Sequence, residues 1–295
     1  MEKFAVCNSI PRAYNTVMRT VTVTLILALA GDAGLTYWIY ASGVSPWFCL
    51  LGIIMWLPLF ILLFGVWVII LILWGLFLDK KKATEKPNHF YYGVIRQTLK
   101  WFFLLIRVKV HVRGKPLPKE PYFMVMNHRS NFDHMALIAG MKKMIICVTK
   151  PENLDFPIAG PFIHHAGFIP INRENMNEGI EAIHKASSYL EKGLCNINIC
   201  PEGTRNKTEE LLLPFKPGSF HIGTDVKAPV VVCCVKNADK VHKNFIRRKT
   251  HIYLDILAVI EPSEYEEMGL AKLVSYSEGL IRRDLEEGDL LLSVD

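Results

Sequence analysis

The segment PYFMVMNHRSNFDHMALIAGM, residues 121–141, decides the fold. Tyr122 to Met126 is a short apolar run of strand length, and Met135 to Met141 reads as a helix. A strand that passes through one loop into a helix is the repeating unit of an α/β layer protein. The loop, Asn127 to Asp133, sets His128 just beyond the strand end. Open α/β sheets place their ligands at that edge. Ser130 is suited to cap the following helix with Asp133 three residues on, which puts Asp133 in the first helical turn. The loop can then fold His128 back until one ring nitrogen meets the Asp133 carboxylate. The other nitrogen is left as a base.

The same alternation continues in both directions. Val108, Val110 and Val112 alternate as in a half-buried strand. Met144–Val148, Phe168–Ile171, Asn196–Cys200, Val230–Val235 and Ile252–Ile260 read as further strands. Met176–Leu190 reads as a helix with Ile180, Ile183 and Leu190 on one face. These patterns predict an α/β fold, a mixed sheet flanked by helices. HFYYGVIRQTLKWFFLLI, from His89, fits either a helix at a membrane surface or a core helix of the main domain. The acidic stretch 262–295 is expected to be helical and to cover the sheet.

The N-terminal region differs in kind. Trp47 to Leu78 is 32 residues without a charge, and about 20 suffice to span a bilayer. Pro58 is the natural kink site. Val21 to Val44 is a second apolar stretch, broken only by Asp32. Together they predict a membrane-embedded two-helix hairpin over residues 1–82, with residues 83–295 as the catalytic domain. Arg12 and Arg19 precede the hairpin and Lys80, Lys81 and Lys82 follow it. Basic flanks stay inside, so the main domain is expected on the cytoplasmic face. Signal-peptide cleavage near Ala30 would leave that placement unchanged. The sequence leaves full span and a re-entrant dip both open, since Asp32 would be costly at mid-bilayer.

Composition excludes several classes. The net charge of +6 comes without a basic, aromatic-interleaved arm, which argues against nucleic acid and for anionic lipid or phosphorylated substrate. Seven cysteines, most of them in apolar runs and with no CxxC pair, argue against a disulfide framework or a structural zinc site.

Further chemistry-bearing residues sit after other strands. Pro201-Glu202-Gly203-Thr204-Arg205 joins a tight turn, a hydroxyl and a guanidinium whose planar fork suits phosphate. Arg173 closes the strand Phe168–Ile171, and Lys150 follows Met144–Val148. Lys216 adds a cation near the turn Pro214–Gly218. Each alone is as well explained by an exposed turn or an ordinary ion pair. Their convergence beside His128 predicts a phosphate-reading site next to a base.

The order NH-x4-D, G-x-x-x-I-x-R, PEGTR and Ala228-Pro229-Val230-Val231-Val232 resembles the PlsC-like glycerolipid acyltransferases, of the 1-acylglycerol-3-phosphate acyltransferase type. The likeness covers residues 89–240. It implies acyl transfer from acyl-CoA or acyl carrier protein, as co-substrate, to the free hydroxyl of 1-acylglycerol-3-phosphate, giving phosphatidic acid. It implies His128 as general base and Asp133 as its orienting partner. Arg173, Glu202, Gly203, Thr204 and Arg205 would bind the acceptor phosphate, with Lys150 and Lys216 as further substrate contacts. It implies no metal, no cofactor and no acyl-enzyme. Cys200 stands where the family usually has Phe, and Val231 to Cys234 lack its second Pro. Another lysophospholipid or glycerol-3-phosphate remains open as acceptor, as does hydrolysis of a lipid ester or thioester. Oligomeric state is not legible.

Overall fold

The computed structural model describes residues 34, 37, 41–43, 47–79, 85–245 and 247–292. All seven expected strands form: β1 (Val108–Gly114), β2 (Phe123–Met126), β3 (Ile145–Thr149), β4 (Ile169–Pro170), β5 (Asn196–Ile199), β6 (Val230–Lys236) and β7 (Thr250–Ile260). They make one sheet in the order β1-β7-β6-β2-β5-β3-β4. Neighbouring strands run parallel except β6 and β7, so the sheet is mixed. Residues 237–249, which include the helix Lys240–Asn244, join this antiparallel pair.

β2 lies in the middle of the sheet. Tyr122 to Met126 are fully buried, as expected for a strand covered on both faces. Each such large side chain contributes roughly 1.5–3 kcal/mol through burial. β4 is shorter than the run Phe168–Ile171 and lies at the sheet edge. Pro170 lacks the N–H that an interior position would use.

Helices supply the covering layers. α1 is Trp47–Leu76, α2 His89–Leu105, α3 Phe132–Gly140, α4 Gly160–Ala166 and α5 Met176–Glu191. Four more follow: α6 (His221–Thr224), α7 (Lys240–Asn244), α8 (Pro262–Met268) and α9 (Leu270–Leu292). The C-terminal stretch is helical as expected, and α9 packs against β6. The aromatic segment 89–105 is a core helix. Tyr92, Val94 and Phe103 are buried, and Tyr92 accepts the Ile145 N–H at the start of β3.

α1 continues through Pro58 as one helix. Its segment Pro58–Leu76 is long and apolar enough to cross a membrane, by length and composition. Trp67 donates to the Thr98 hydroxyl (3.0 Å) and packs edge-on against Trp101, while Trp74 meets Phe90 and Phe162. α1 therefore runs antiparallel to α2. Leu62, Ile69, Leu73 and Leu76 are left exposed. An unsheltered apolar face of this kind marks contact with lipid or another apolar surface. Most of the expected first helix, 21–44, falls outside the described residues, and with it the second arm of the hairpin.

Candidate active site

β2, β5, β3, β4 and β6 all point their carboxyl ends to one edge, since each is parallel to its neighbour there. The loop leaving β2 is fastened on both sides. Asn127 is fully buried; its amide donates to Val235 O (2.9 Å) and its Oδ1 accepts the Val235 N–H (2.7 Å). The side chain thus adds one rung to the β2–β6 ladder beyond Met126. Ser130 donates its hydroxyl to Ala238 O (3.0 Å) on the same exit from β6. On the other side, the His128 N–H donates to Glu202 Oε1 (2.6 Å), and His128 O accepts the Asn206 N–H (2.7 Å). Both backbone groups of His128 are therefore held by the exit from β5.

The His128 ring then has little freedom. Its Nδ1 lies 2.9 Å from Asp133 Oδ2. The same oxygen accepts the N–H groups of Arg129 (2.8 Å) and Ser130 (2.7 Å). A carboxylate only accepts, so Nδ1 carries the proton and Nε2 keeps a lone pair. Burial pushes the Asp133 carboxyl above its ordinary value, while His128 and these N–H groups pull it back. Asp133 is in the first turn of α3, as expected, but the capping differs. Ser130 accepts the Phe132 N–H rather than serving as the N-cap, which is Asn131. Asp133 folds back over Ser130 because its carboxylate gathers all three donors.

Glu202 sits beneath this loop. It is buried, and its second oxygen accepts the Leu213 N–H (3.0 Å). Both carboxylate oxygens are thus engaged by backbone donors. Gly203 has φ +75°, and a Cβ there would come within 2.9 Å of Lys216 Nζ. That glycine lets the Lys216 amine lie across the turn. Arg205 donates to Asn131 Oδ1 (2.6 Å), and Thr204 is exposed. Arg173 lies close enough to His134 to disfavour its protonation. Lys150 pairs with Glu152 at 2.9 Å, and both Lys150 and Arg173 hold the Glu152 carboxyl below its ordinary value.

Residues 107–236 match the acyltransferase family profile. That span is under half of the 295-residue chain. Proteins named 1-acyl-sn-glycerol-3-phosphate acyltransferase are similar to it. The one from Saccharomyces cerevisiae is 33% identical over 137 residues, 45% of each chain. The one from Salmonella typhimurium is 28% identical over 189 residues, 63% of this chain and 76% of that one. A human relative, the alpha form, is 30% identical over 140 residues, 47% of this chain and 49% of its own length. The match thus spans about half of the yeast and human proteins. The PlsC crystal structure from Thermotoga maritima superposes with a TM-score of 0.57 over 80% of this chain and 95% of that one, at 20% identity, and so shares the fold.

The site holds two groups that the spacing did not single out. His134 stands edge-on to His128, ring centroids 5.0 Å apart, with its Nε2 3.6 Å from Cys200 Sγ. Burial, with His128 and Arg173 adding to it, lowers its pKa to about 3, so it is neutral. Cys200 therefore has a histidine neighbour, although no basic residue adjoins it in sequence. Burial, Asp133 and Glu202 push its thiol well above the ordinary value. A reactive cysteine needs the opposite. The sequence signals were that Cys200 follows a strand, in place of the usual Phe, and that His134 follows Asp133.

Proposed function

We propose that this chain is a membrane-anchored O-acyltransferase that moves a fatty-acyl group from a thioester donor to the free hydroxyl of 1-acylglycerol-3-phosphate. The observation that carries the reading is the fixed Asp133–His128 pair with Nε2 left as acceptor. The disabled thiol of Cys200 favours direct transfer over an acyl-enzyme. The printed names of the relatives support the acceptor.

In this mechanism Nε2 takes the proton of the acceptor hydroxyl as its oxygen attacks the thioester carbonyl. The tetrahedral intermediate collapses to the ester and expels the thiolate, which recovers the proton from the His128 imidazolium. Asp133 keeps the ring in one tautomer and stabilises that cation. Arg173, Arg205 and Lys216 hold the acceptor phosphate, with Thr204 and Lys150 at its margin. Binding the phosphate away from the reacting hydroxyl fixes the nucleophile's position. Glu202 and Gly203 act through the backbone: Glu202 anchors His128, and Gly203 makes room for Lys216. The donor is acyl-CoA or acyl carrier protein, with no resident cofactor. α1 holds the domain at the membrane, and Lys80 to Lys82 place it on the cytoplasmic face.

The test is acyl transfer by the detergent-solubilised protein, offered acyl-CoA and 1-acylglycerol-3-phosphate, with lipid product measured by mass. Phosphatidic acid formation that requires both the acceptor and His128 is expected. Fatty acid released without acceptor would indicate a hydrolase instead. Turnover only with another lysolipid would overturn the acceptor assignment.

A further inference from the structure

His128, His134 and Cys200 offer three donor atoms, one from each residue, that lie within 4.8 Å of one another. A tetrahedral zinc ion binds nitrogen at about 2.0–2.1 Å and sulfur at about 2.3 Å, which sets such donors roughly 3.3–3.8 Å apart. The His134 Nε2 to Cys200 Sγ distance of 3.6 Å already falls in that range. The widest pair must close by about 1 Å for an ion to be held.

We propose that His128, His134 and Cys200 form a binding site for a thiophilic divalent cation of the zinc class, and that its occupation switches the acyltransferase off. The chemistry of the set supports this. The ring nitrogen that His128 has free for an ion is Nε2, because Nδ1 is given to Asp133. That arrangement is the carboxylate–histidine–metal relay, in which the carboxylate orients the ligand and raises its basicity. His134 holds its Nε2 3.6 Å from Cys200 Sγ, so that nitrogen is aimed into the set. Soft sulfur beside two imidazoles selects zinc-like ions over magnesium or calcium. The buried carboxylates of Asp133 and Glu202 favour a dication here, and the guanidinium of Arg173 opposes it. The His128 side chain is 16% exposed and gives the ion its way in.

Binding replaces the thiol proton: Cys200–SH and the cation give the thiolate complex and one released proton. The lone pair of His128 Nε2 is then engaged, so the base is lost until a chelator removes the ion. The site stands on its own geometry, whereas the loss of activity rests on the proposed function.

Two readouts separate the two. The intact protein is titrated with Co2+, and with Zn2+ during phosphatidic acid formation assayed by mass. Expected are one Co2+ per chain with a thiolate-to-cobalt charge-transfer band, and Zn2+ inhibition reversed by EDTA. Cys200→Ser should abolish the band and weaken Zn2+ inhibition by about tenfold or more, since even indirect partners of a metal cost about 10–100-fold in affinity. His134→Gln should weaken both in the same way, and thermal melts confirm that each variant is folded. No thiolate band in the parent protein, or equal Zn2+ sensitivity in parent and folded variants, would overturn the site. A band without any acyl transfer would keep the site and sink the proposed function.

Discussion

Replacing Glu202 with Gln separates two roles that the residue's position in the PEGTR turn allows. Glu202 is 3% exposed, and its oxygens accept the N–H groups of His128 at 2.6 Å and Leu213 at 3.0 Å. A glutamine keeps the shape but can accept at one oxygen only, so its NH2 faces one of the two backbone donors. A buried donor left without its partner costs about 1–3 kcal/mol. Burial disfavours the charged carboxylate, and Gln removes that penalty, which offsets part of the loss. Hydrogen bonds to a charged acceptor are worth about 1.5–3 kcal/mol each, so a net destabilisation of about 1–2 kcal/mol is expected. That lowers the melting temperature by about 2–4 °C per kcal/mol. The same change loosens His128, and a shift approaching 1 Å at a base costs about 100-fold in rate. Melting in detergent and steady-state acyl transfer should therefore show a lower Tm and a lower kcat, with the acceptor KM nearly unchanged. An unchanged Tm and kcat with a raised acceptor KM would refute the anchoring role and return Glu202 to the phosphate.

Three further outcomes are expected. Asp133→Asn should lower kcat by about 10⁴-fold while the protein stays folded, as loss of the orienting carboxylate does in serine proteases; a change below about tenfold would show that His128 is not held by this pair. Gly160→Ala places a Cβ 2.1 Å from Leu154 O, a backbone atom that cannot yield, so thermal melts should show a loss of about 1–3 kcal/mol. Arg113→Met concerns Asp255, whose carboxyl burial would raise but which Arg113 and Lys236 together hold below 3.8. A depressed carboxyl stabilises above its unfolded pKa and loses that as pH falls through the folded value. The Tm gap between parent and Arg113→Met should thus be present at neutral pH and close below 3.8; a gap constant with pH would show that the ion pair does not carry it.

Much of the fold was legible because period and burial agree along the chain. β2 and β6 are buried along almost their whole length, and the sequence carries them as unbroken or nearly unbroken apolar runs. The His128–Asp133 pairing was legible too, since only four residues separate the two groups and local geometry alone brings them together. The aromatic segment 89–105 was ambiguous for a physical reason. A face of Tyr, Phe and Leu suits lipid and protein core equally, and only packing against β3, α3 and α4 decided between them.

By itself the sequence determined which strands exist, that a histidine follows a strand end, and that one stretch is apolar enough for a membrane. The tertiary structure decided how separate strand exits combine. Asn127 grips β6 across 108 residues, and Glu202 grips His128 across 74. Cys200 meets His134 across 66. Those contacts arise from the parallel order of the strands, which sets distant carboxyl ends side by side at one edge. Spacing along the chain carries no trace of that order, because hydrogen bonding between strands, not sequence separation, fixes which loops become neighbours.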